Sequence, residues 1–290
     1  MVKQHIANTA MNPSPEKIED LSPTGNNADG GSLTVEQAIA NLESADLGLR
    51  FYAAWWLGRF RISEAAAVTG LIKALEDEAD RTPEGGYPLR RNAARALGKL
   101  GDRQALSPLI ACLDCSDFYV REAAAQSLEM LGDPVCIPAL IELLQIGLQG
   151  EQLISQPDLS QPYEAILEAL GALRATECVP LVKPFLEHPI ELVQYAAARA
   201  MYQLTQEPVY GERLIKALAG EKLQLRRAVL ADLGAIGYLP AADAIAETLA
   251  ENSLKLISLK GLLEHQVNHT ATNTLSDGAI KVINLMDSLL

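Results

Sequence analysis

The sequence repeats itself, and this repetition limits the folds open to the chain more than any other feature. Six segments each begin with an apolar residue and carry Leu or Met eight residues later. Eleven residues after its start each segment carries another large apolar residue, and glycine stands nine residues after the start in four of the six. The starting residues, spaced 31 to 42 residues apart, are Leu49, Leu89, Val120, Pro162, Val193 and Leu225.

Each segment is followed by a short turn and a second apolar-periodic segment, as in GDRQALSPLIACL (101–113) and GDPVCIPALIELL (132–144). One period therefore encodes two antiparallel helices. Such a pair cannot bury its apolar face alone, and stacked neighbours build one continuous core. We predict an all-α fold: an α-solenoid (α-α superhelix) of about six HEAT-like helix pairs over residues 33–290.

The regions outside this regular pattern fall into three parts. Residues 1–32 are rich in Asn, Ser, Pro and Gly, which is typical of a disordered N-terminal tail. Two of the repeats carry loop insertions, near 80–88 (DRTPEGGYP) and near 147–162. Loops of this length within a compact array are more often functional than incidental.

Composition excludes several classes of function. A net charge of −13 and a pI near 4.8 argue against a nucleic-acid partner, which would need a concentrated basic surface. The chain contains no apolar stretch long enough to span a membrane and no secretory h-region, so we expect a soluble, cytoplasmic protein. Cys112 and Cys115 have CxxC spacing, but Cys112 falls on an apolar stripe, which favours a buried thiol over a metal site. No metal and no cofactor are predicted.

The repeat register assigns positions to the core and to the surface. Four and five residues after each start the residue is small or apolar, which predicts burial. Positions two, six and ten share one outward stripe, on the helix that lines the concave wall of a HEAT-type stack. In the first two repeats this stripe consists of Phe51, Trp55, Arg59, Arg91, Arg95 and Lys99. An aromatic-rich surface thus lies beside a cationic one, which would suit a flat apolar ligand with pendant carboxylates.

Structural roles compete with ligand contact at these positions. Arg50, Arg90, Arg121 and Arg226 each follow a starting residue, where HEAT-like repeats use Arg to bridge adjacent turns through carboxylates. Trp55 and Trp56 are adjacent, so at most one of them can face outward. The outward stripe is compatible both with ligand contact and with ordinary solvated or partner-facing surface.

Several runs in the sequence carry a more specific resemblance. They include YAAWWLGRF (52–60), DRTPEGGYPLRR (80–91) and LQLRRAVLADLGAIGYLP (223–240). Over residues 33–290 the chain resembles the E-type subunit of the heterodimeric phycocyanin α-subunit phycocyanobilin lyases. The resemblance implies a heterodimer with an F-type subunit. It also implies that the pair attaches phycocyanobilin, as substrate, to a cysteine of the phycocyanin α subunit through a thioether, in phycobilisome assembly.

This reaction adds a thiol across the ethylidene group of the bilin, and the resemblance implies catalysis by positioning. The absence of a nucleophile–base–orienter motif in the sequence agrees with that. We therefore predict that Arg91 and Arg95 pair with the two propionates, while Trp55 and Tyr87 contact the tetrapyrrole. The predicted bilin-binding residues are Trp55, Arg59, Asp80, Tyr87, Arg91 and Arg95.

Two other functions remain compatible with the sequence. The chain could be a lyase or lyase-isomerase subunit for a related phycobiliprotein such as phycoerythrocyanin, because specificity can reside in the partner subunit. It could also be a non-catalytic HEAT scaffold that acts in phycobilisome turnover.

Overall fold

The computed structural model describes residues 33–150, 152–154, 161–268 and 274–290. The tail predicted for residues 1–32 lies outside the described residues. The described ranges form the helices α1 Val35–Asn41, α2 Leu47–Arg59, α3 Ala65–Ala74, α4 Pro88–Leu100, α5 Leu106–Cys112, α6 Phe118–Leu131, α7 Ile137–Gln145, α8 Tyr163–Ala172, α9 Val179–Val182, α10 Glu191–Thr205, α11 Pro208–Leu218, α12 Leu223–Ile236, α13 Ala242–Glu247, α14 Asn252–Asn268 and α15 Asp277–Ser288. In the second insertion two short antiparallel strands, β1 Leu148–Gln149 and β2 Gln152–Leu153, pair as a hairpin.

In two of the helix pairs a Gly-Asp dipeptide forms the turn between the two helices. Gly101 ends α4 and Gly132 ends α6, both in the left-handed conformation at φ 74° and 67°, which only glycine adopts at little cost. The following residues, Asp102 and Asp133, cap a 3₁₀ turn that leads into the next helix. The Asp102 carboxylate accepts from the backbone N–H of Gln104 at 2.8 Å. The chain therefore reverses at a fixed point after each of these two helices.

The helices form two parallel rows. The inner row consists of α2, α4, α6, α8, α10, α12 and α14. The outer row consists of the helices that follow them in sequence, namely α3, α5, α7, α9, α11, α13 and α15. Neighbouring inner helices pack against each other along the whole row. This arrangement confirms the all-α solenoid. Within the described ranges the array includes a seventh pair, α14 with α15, where the sequence pattern weakens.

The predicted core positions are buried in every repeat. All twelve residues that stand four and five after a starting residue are at most 1% exposed: Ala53, Ala54, Ala93, Ala94, Ala124, Ala125, Ile166, Leu167, Ala197, Ala198, Val229 and Leu230. Eight of the twelve are alanines, so the backbones of adjacent inner helices approach closely.

The recurring glycines bring the inner helices closer still. A Cβ placed on Gly58 of α2 would lie 2.8 Å from the Cα of Ala96 on α4. A Cβ on Gly98 of α4 would lie 2.6 Å from the hydroxyl of Ser127 on α6. In both cases the glycine stands nine residues after the start of its own repeat. It faces a small residue that stands seven residues after the start of the following repeat. The repeat therefore encodes a contact between neighbours that no larger side chain can occupy.

Two repeats lack this glycine. Glu129 of α6 and Tyr202 of α10 stand at the corresponding position. The neighbouring inner helices α6 and α8 pack less closely than the inner helices that have the glycine between them, and so do α10 and α12. Room for polar side chains therefore opens at the middle of the inner row.

The four predicted ladder arginines serve the fold. Arg50 pairs with Asp77, while Arg90 donates from Nε to the Asp77 carbonyl at 2.7 Å and pairs with Glu78. Arg121 and Arg226 also donate to backbone carbonyls, among them those of Cys115 and Leu249. The structural role is confirmed. Among the described residues the expected carboxylate partner gives way at Arg226 to the carbonyls that the ends of neighbouring helices and turns leave free.

We predict that Gly58→Ala destabilises the fold by about 1–3 kcal/mol, because the added methyl group would overlap the backbone of α4. Gly70→Ala is the matched control, since its Cβ would meet only the flexible end of Leu42. In that variant the gain in helix propensity of up to ~1 kcal/mol can offset the contact. Urea unfolding followed by circular dichroism measures both variants. Equal stability of the two would contradict the close approach at Gly58.

Candidate functional site

The first repeat presents one tryptophan to the concave wall. The Trp55 side chain is 37% exposed, and its ring stacks on Tyr52 at a centroid distance of 5.5 Å. Trp56 packs against the core and against the ring of Phe60 at 4.8 Å. The prediction that only one of the two tryptophans faces outward is confirmed, and Trp55 offers a supported aromatic surface.

The second repeat places cations beside this aromatic surface. The Arg91 guanidinium lies 5.7 Å from the ring centroid of Tyr119, and its buried Nε has no hydrogen-bond partner among the described residues. Arg95 reaches Glu122 at 3.5 Å. Burial and the neighbouring Arg91 lower the pKa of Arg95. Two guanidinium groups therefore face a single carboxylate here, and an anionic ligand would relieve their repulsion.

The cationic cluster extends toward the first repeat. Burial lowers the pKa of Lys99, and the charges of Arg95, Arg59 and Arg61 lower it further. Arg61 also donates to the backbone carbonyl of Lys99 at 3.2 Å. The structure thus brings together four cations that the stripe pattern selected, namely Arg59, Arg91, Arg95 and Lys99.

Asp80 and Tyr87 lie at the start of α4, the helix that carries Arg91, Arg95 and Lys99. The Asp80 carboxylate accepts from the backbone N–H of Leu89 at 2.7 Å and so caps α4. Tyr87 is only 6% exposed, its ring lies 4.1 Å from the Arg90 guanidinium, and its own N–H donates to Asp117 at 2.7 Å. Both residues fix the first turn of the helix that carries the cations. Direct contact of either with a ligand stays a prediction.

The middle of the concave wall is organised by one arginine. The Arg199 guanidinium on α10 contacts Glu129 of α6 at 2.7 Å, Glu168 of α8 at 3.2 Å and Asp232 of α12 at 3.6 Å. Its side chain is only 11% exposed. One side chain can reach carboxylates on three other helices of a row only where the row curves toward it. This face is therefore the concave one, and Arg199 ties four inner helices together.

Two carboxyls beside Arg199, those of Glu168 and Asp232, bind protons more tightly than usual. Burial raises the pKa of Glu168 to about 7 although Arg199 opposes it, and burial raises that of Asp232 to about 6. Burial lowers the pKa of Arg199, but the charges of its three carboxylate partners outweigh this and raise it. Because the folded carboxyls hold protons that the unfolded chain releases, the fold loses stability as the pH rises from about 4 to 7.

Sequence reasoning missed Glu129 and Asp232. Glu129 stands where four other repeats carry glycine, and Asp232 stands where four others carry alanine or serine, so each is a charged residue at a core position. Such a residue requires a buried partner. The signal was available in the repeat register, but the identity of the partner depended on the curvature of the row.

The remaining chemistry of the chain is sparse. Cys112 is buried as predicted, and burial raises its pKa to about 12. Among the described residues no group of three or more His, Cys, Asp and Glu side chains is placed to hold a metal ion. Within the same residues no helix has both the length and the apolar character that crossing a membrane requires.

We predict that Arg199→Met costs about 3–5 kcal/mol of stability at pH 8, because it leaves buried carboxylates without their cation. The cost should shrink at pH 5, where these carboxyls take up protons. Arg103→Met is the control: its pair with Asp133 lies on a side chain that is 81% exposed, and its loss should stay within ~1 kcal/mol at either pH. Chemical denaturation at the two pH values measures this. A cost for Arg199→Met that does not change with pH would contradict the assignment.

The chain matches two family models and several curated proteins. The model of HEAT repeats matches residues 86–147, and the model of the PBS lyase HEAT-like repeat matches residues 49–77 and 193–220. The phycocyanobilin lyase subunit alpha of Nostoc sp. strain PCC 7120 is 68% identical over 263 residues, which is 90% of this chain and 95% of the relative. The bilin biosynthesis protein PecE of the same organism is 44% identical over 89% of this chain and 96% of its own length.

A solved structure is similar over the same span. It is the complex of CpcE and CpcF of phycocyanin lyase from Nostoc sp., and one of its chains superposes with a TM-score of 0.82 at 67% identity, over 90% of this chain and 97% of that chain. Repeat architecture, surface chemistry and identity over nearly the whole length of these relatives agree. The chain belongs to the family of phycocyanobilin lyase alpha subunits.

Proposed function

We propose that this chain is one subunit of a heterodimeric bilin lyase. With an F-type partner it positions phycocyanobilin for thioether attachment to a cysteine of the phycocyanin α subunit. The observation that carries this proposal is the 68% identity to a phycocyanobilin lyase subunit alpha over 90% of the chain. The identity to the bilin biosynthesis protein PecE is much lower, at 44%, which favours the phycocyanobilin lyase subunit as the guide to the function of this chain.

The concave wall suits the ligand. Phycocyanobilin is a conjugated, apolar tetrapyrrole that carries two propionates. Trp55 supplies an exposed aromatic face, while Arg91 and Arg95 supply two guanidinium groups, of which Arg95 contacts Glu122 and Arg91 acts on the same carboxylate through its charge. Guanidinium groups bind carboxylates through charge-assisted hydrogen bonds, and their planar fork also fixes the orientation of the carboxylate.

The thiols of the chain support catalysis by positioning. Cys112, Cys136 and Cys178 are buried, and burial raises their pKa values to about 12, 11 and 12. Thiols of this kind are poor nucleophiles at neutral pH. Cys115 is only partly buried, but in the proposed reaction the nucleophile is the cysteine of the acceptor protein, and the lyase contributes the conformation of the bilin and the choice of the carbon attacked.

The partner and the site of action follow from the same proposal. The related CpcE chain was crystallised with CpcF, which supports a heterodimer with an F-type subunit. We propose that the pair acts in the cytoplasm during phycobilisome assembly.

Reconstitution tests this function. The chain is combined with an F-type subunit, the apo phycocyanin α subunit and phycocyanobilin, and covalent pigment is read under denaturing conditions. We expect a thioether adduct at the acceptor cysteine that forms only with both subunits present. Absence of an adduct with both subunits soluble would contradict the proposal and favour a scaffold.

We predict that Arg91→Glu/Arg95→Glu abolishes the change in bilin absorbance on binding, because two carboxylates would then face the propionates. The matched control is Arg103→Glu/Lys260→Glu, which changes the net charge equally at two well-exposed positions. Thermal unfolding and gel filtration with the F-type subunit verify that both variants fold and assemble. An unchanged bilin absorbance shift in the first variant would overturn the assignment of the cationic surface.

A further inference from the structure

A small cavity with polar groups in a largely apolar lining lies at the N-terminal ends of α6, α8 and α10. Its volume is ≈ 100 Å³, and its lining includes Glu122, Gln161, Glu164 and His188. Glu122 and Glu164 belong to the outward stripe of the concave wall, each two residues after a starting residue. The cavity therefore opens from the surface that carries the proposed bilin site.

Two buried polar atoms of the cavity residues have no hydrogen-bond partner in the described part of the chain. His188 is 0% exposed, and its Nδ1 accepts from the N–H of Ile190 at 3.2 Å. Burial lowers the pKa of His188, so the ring is neutral and carries its proton on Nε2, which has no partner among the described residues. The buried Oε1 of Gln161 likewise has none. An unsatisfied donor and an unsatisfied acceptor that line one cavity of this size are the conditions under which proteins bind ordered water.

Glu164 stands at this cavity without a cation. Among the described residues its carboxyl forms neither an ion pair nor a hydrogen bond, and the guanidinium of Arg199 is held by Glu129, Glu168 and Asp232. Burial, together with the charges of Glu168 and Glu122, raises the pKa of Glu164 to about 7.

The titratable groups that face Glu164 come from every neighbouring element. They are Glu168 on α8 itself, Glu122 on α6, His188 before α10 and, at longer range, Asp232 on α12. None of these groups is a cation at neutral pH. At that pH Glu164 is consequently divided between its two protonation states, as a proton-transfer group requires.

We infer that Glu164 is the proton-transfer residue of the thiol addition. A water molecule in the adjoining cavity links its carboxyl to Nε2 of His188 and Oε1 of Gln161. This inference rests on the proposed lyase function. In the reaction the acceptor sulfur bonds to the outer carbon of the ethylidene group and the C=C π bond breaks. The thiol proton passes to the Glu164 carboxylate and from there to the inner carbon. No oxidant or reductant is consumed.

The placement of Glu164 relative to the cations supports this role. Arg95 contacts Glu122 at 3.5 Å, and the charge of Glu122 acts in turn on Glu164. Cation, intervening carboxylate and proton carrier thus follow one another along the same stripe from α4 through α6 to α8. A ligand whose propionates lie on Arg91 and Arg95 extends along this wall toward Glu164.

The test compares Glu164→Gln with wild type, each with the F-type subunit, in single-turnover adduct formation from pH 5.5 to 9 at saturating bilin. The wild-type rate should rise through about pH 7 as Glu164 ionises. Glu164→Gln should be at least about tenfold slower at pH 7. Its rate should rise only as the acceptor thiol itself ionises, near pH 8.5, so that the two proteins converge at pH 9. Gln161→Leu should show a smaller loss than Glu164→Gln.

Glu142→Gln is the matched control, since Glu142 is exposed on α7, and it should follow the wild-type profile. Thermal unfolding and bilin absorbance confirm that each variant folds and binds. A Glu164→Gln variant with the wild-type rate and pH profile would overturn the inference, as would one that loses bilin binding. If wild type itself forms no adduct, the proposed function fails instead, and the two failures are therefore distinguishable.

Discussion

The architecture depends on how closely adjacent inner helices approach. Gly58 against Ala96 and Gly98 against Ser127 leave no room for a further methyl group, and the alanines beside them are fully buried. Because small residues bring the backbones together, the register of one helix fixes that of the next. Residues at the same position of successive repeats then fall on one stripe, and a functional surface can be assembled from helices that are distant in sequence.

The acidic part of the concave wall lies where this rule is relaxed. Glu129 and Tyr202 replace the glycine in the third and fifth repeats, the helices there are less closely packed, and carboxylates occupy the space. Arg199 offsets three of them and draws four helices into a curve. Unpaired buried carboxylates would otherwise be costly. The burial of several carboxylates side by side therefore explains both the curvature at Arg199 and the raised proton affinity of the acidic wall. The concave face is thereby divided into a cationic, aromatic part and an acidic, proton-carrying part.

Much of this was predictable from the sequence, and the remainder has identifiable physical reasons. The periodicity predicted the helix pairs, the buried alanines and the outward Trp55, because these depend on local spacing. It also selected Arg91 and Arg95, which the structure places together. The cap formed by Asp80 and the burial of Tyr87 depend on how the first insertion folds back onto α4. The partners of Arg199 come from three other repeats, and no local pattern specifies such contacts. The cavity beside His188 arises where three helix ends meet.

The central claim is that guanidinium groups on α4 hold the propionates of the bilin. The most direct measurement compares the affinity of the assembled heterodimer for phycocyanobilin and for its propionate dimethyl ester, by absorbance titration at low and high salt. Esterification keeps the conjugated system and removes both charges. The account predicts that the ester binds at least about tenfold more weakly, which corresponds to ~1.4 kcal/mol, and that added salt weakens only the free acid. Equal affinities, with the same salt dependence, would contradict it.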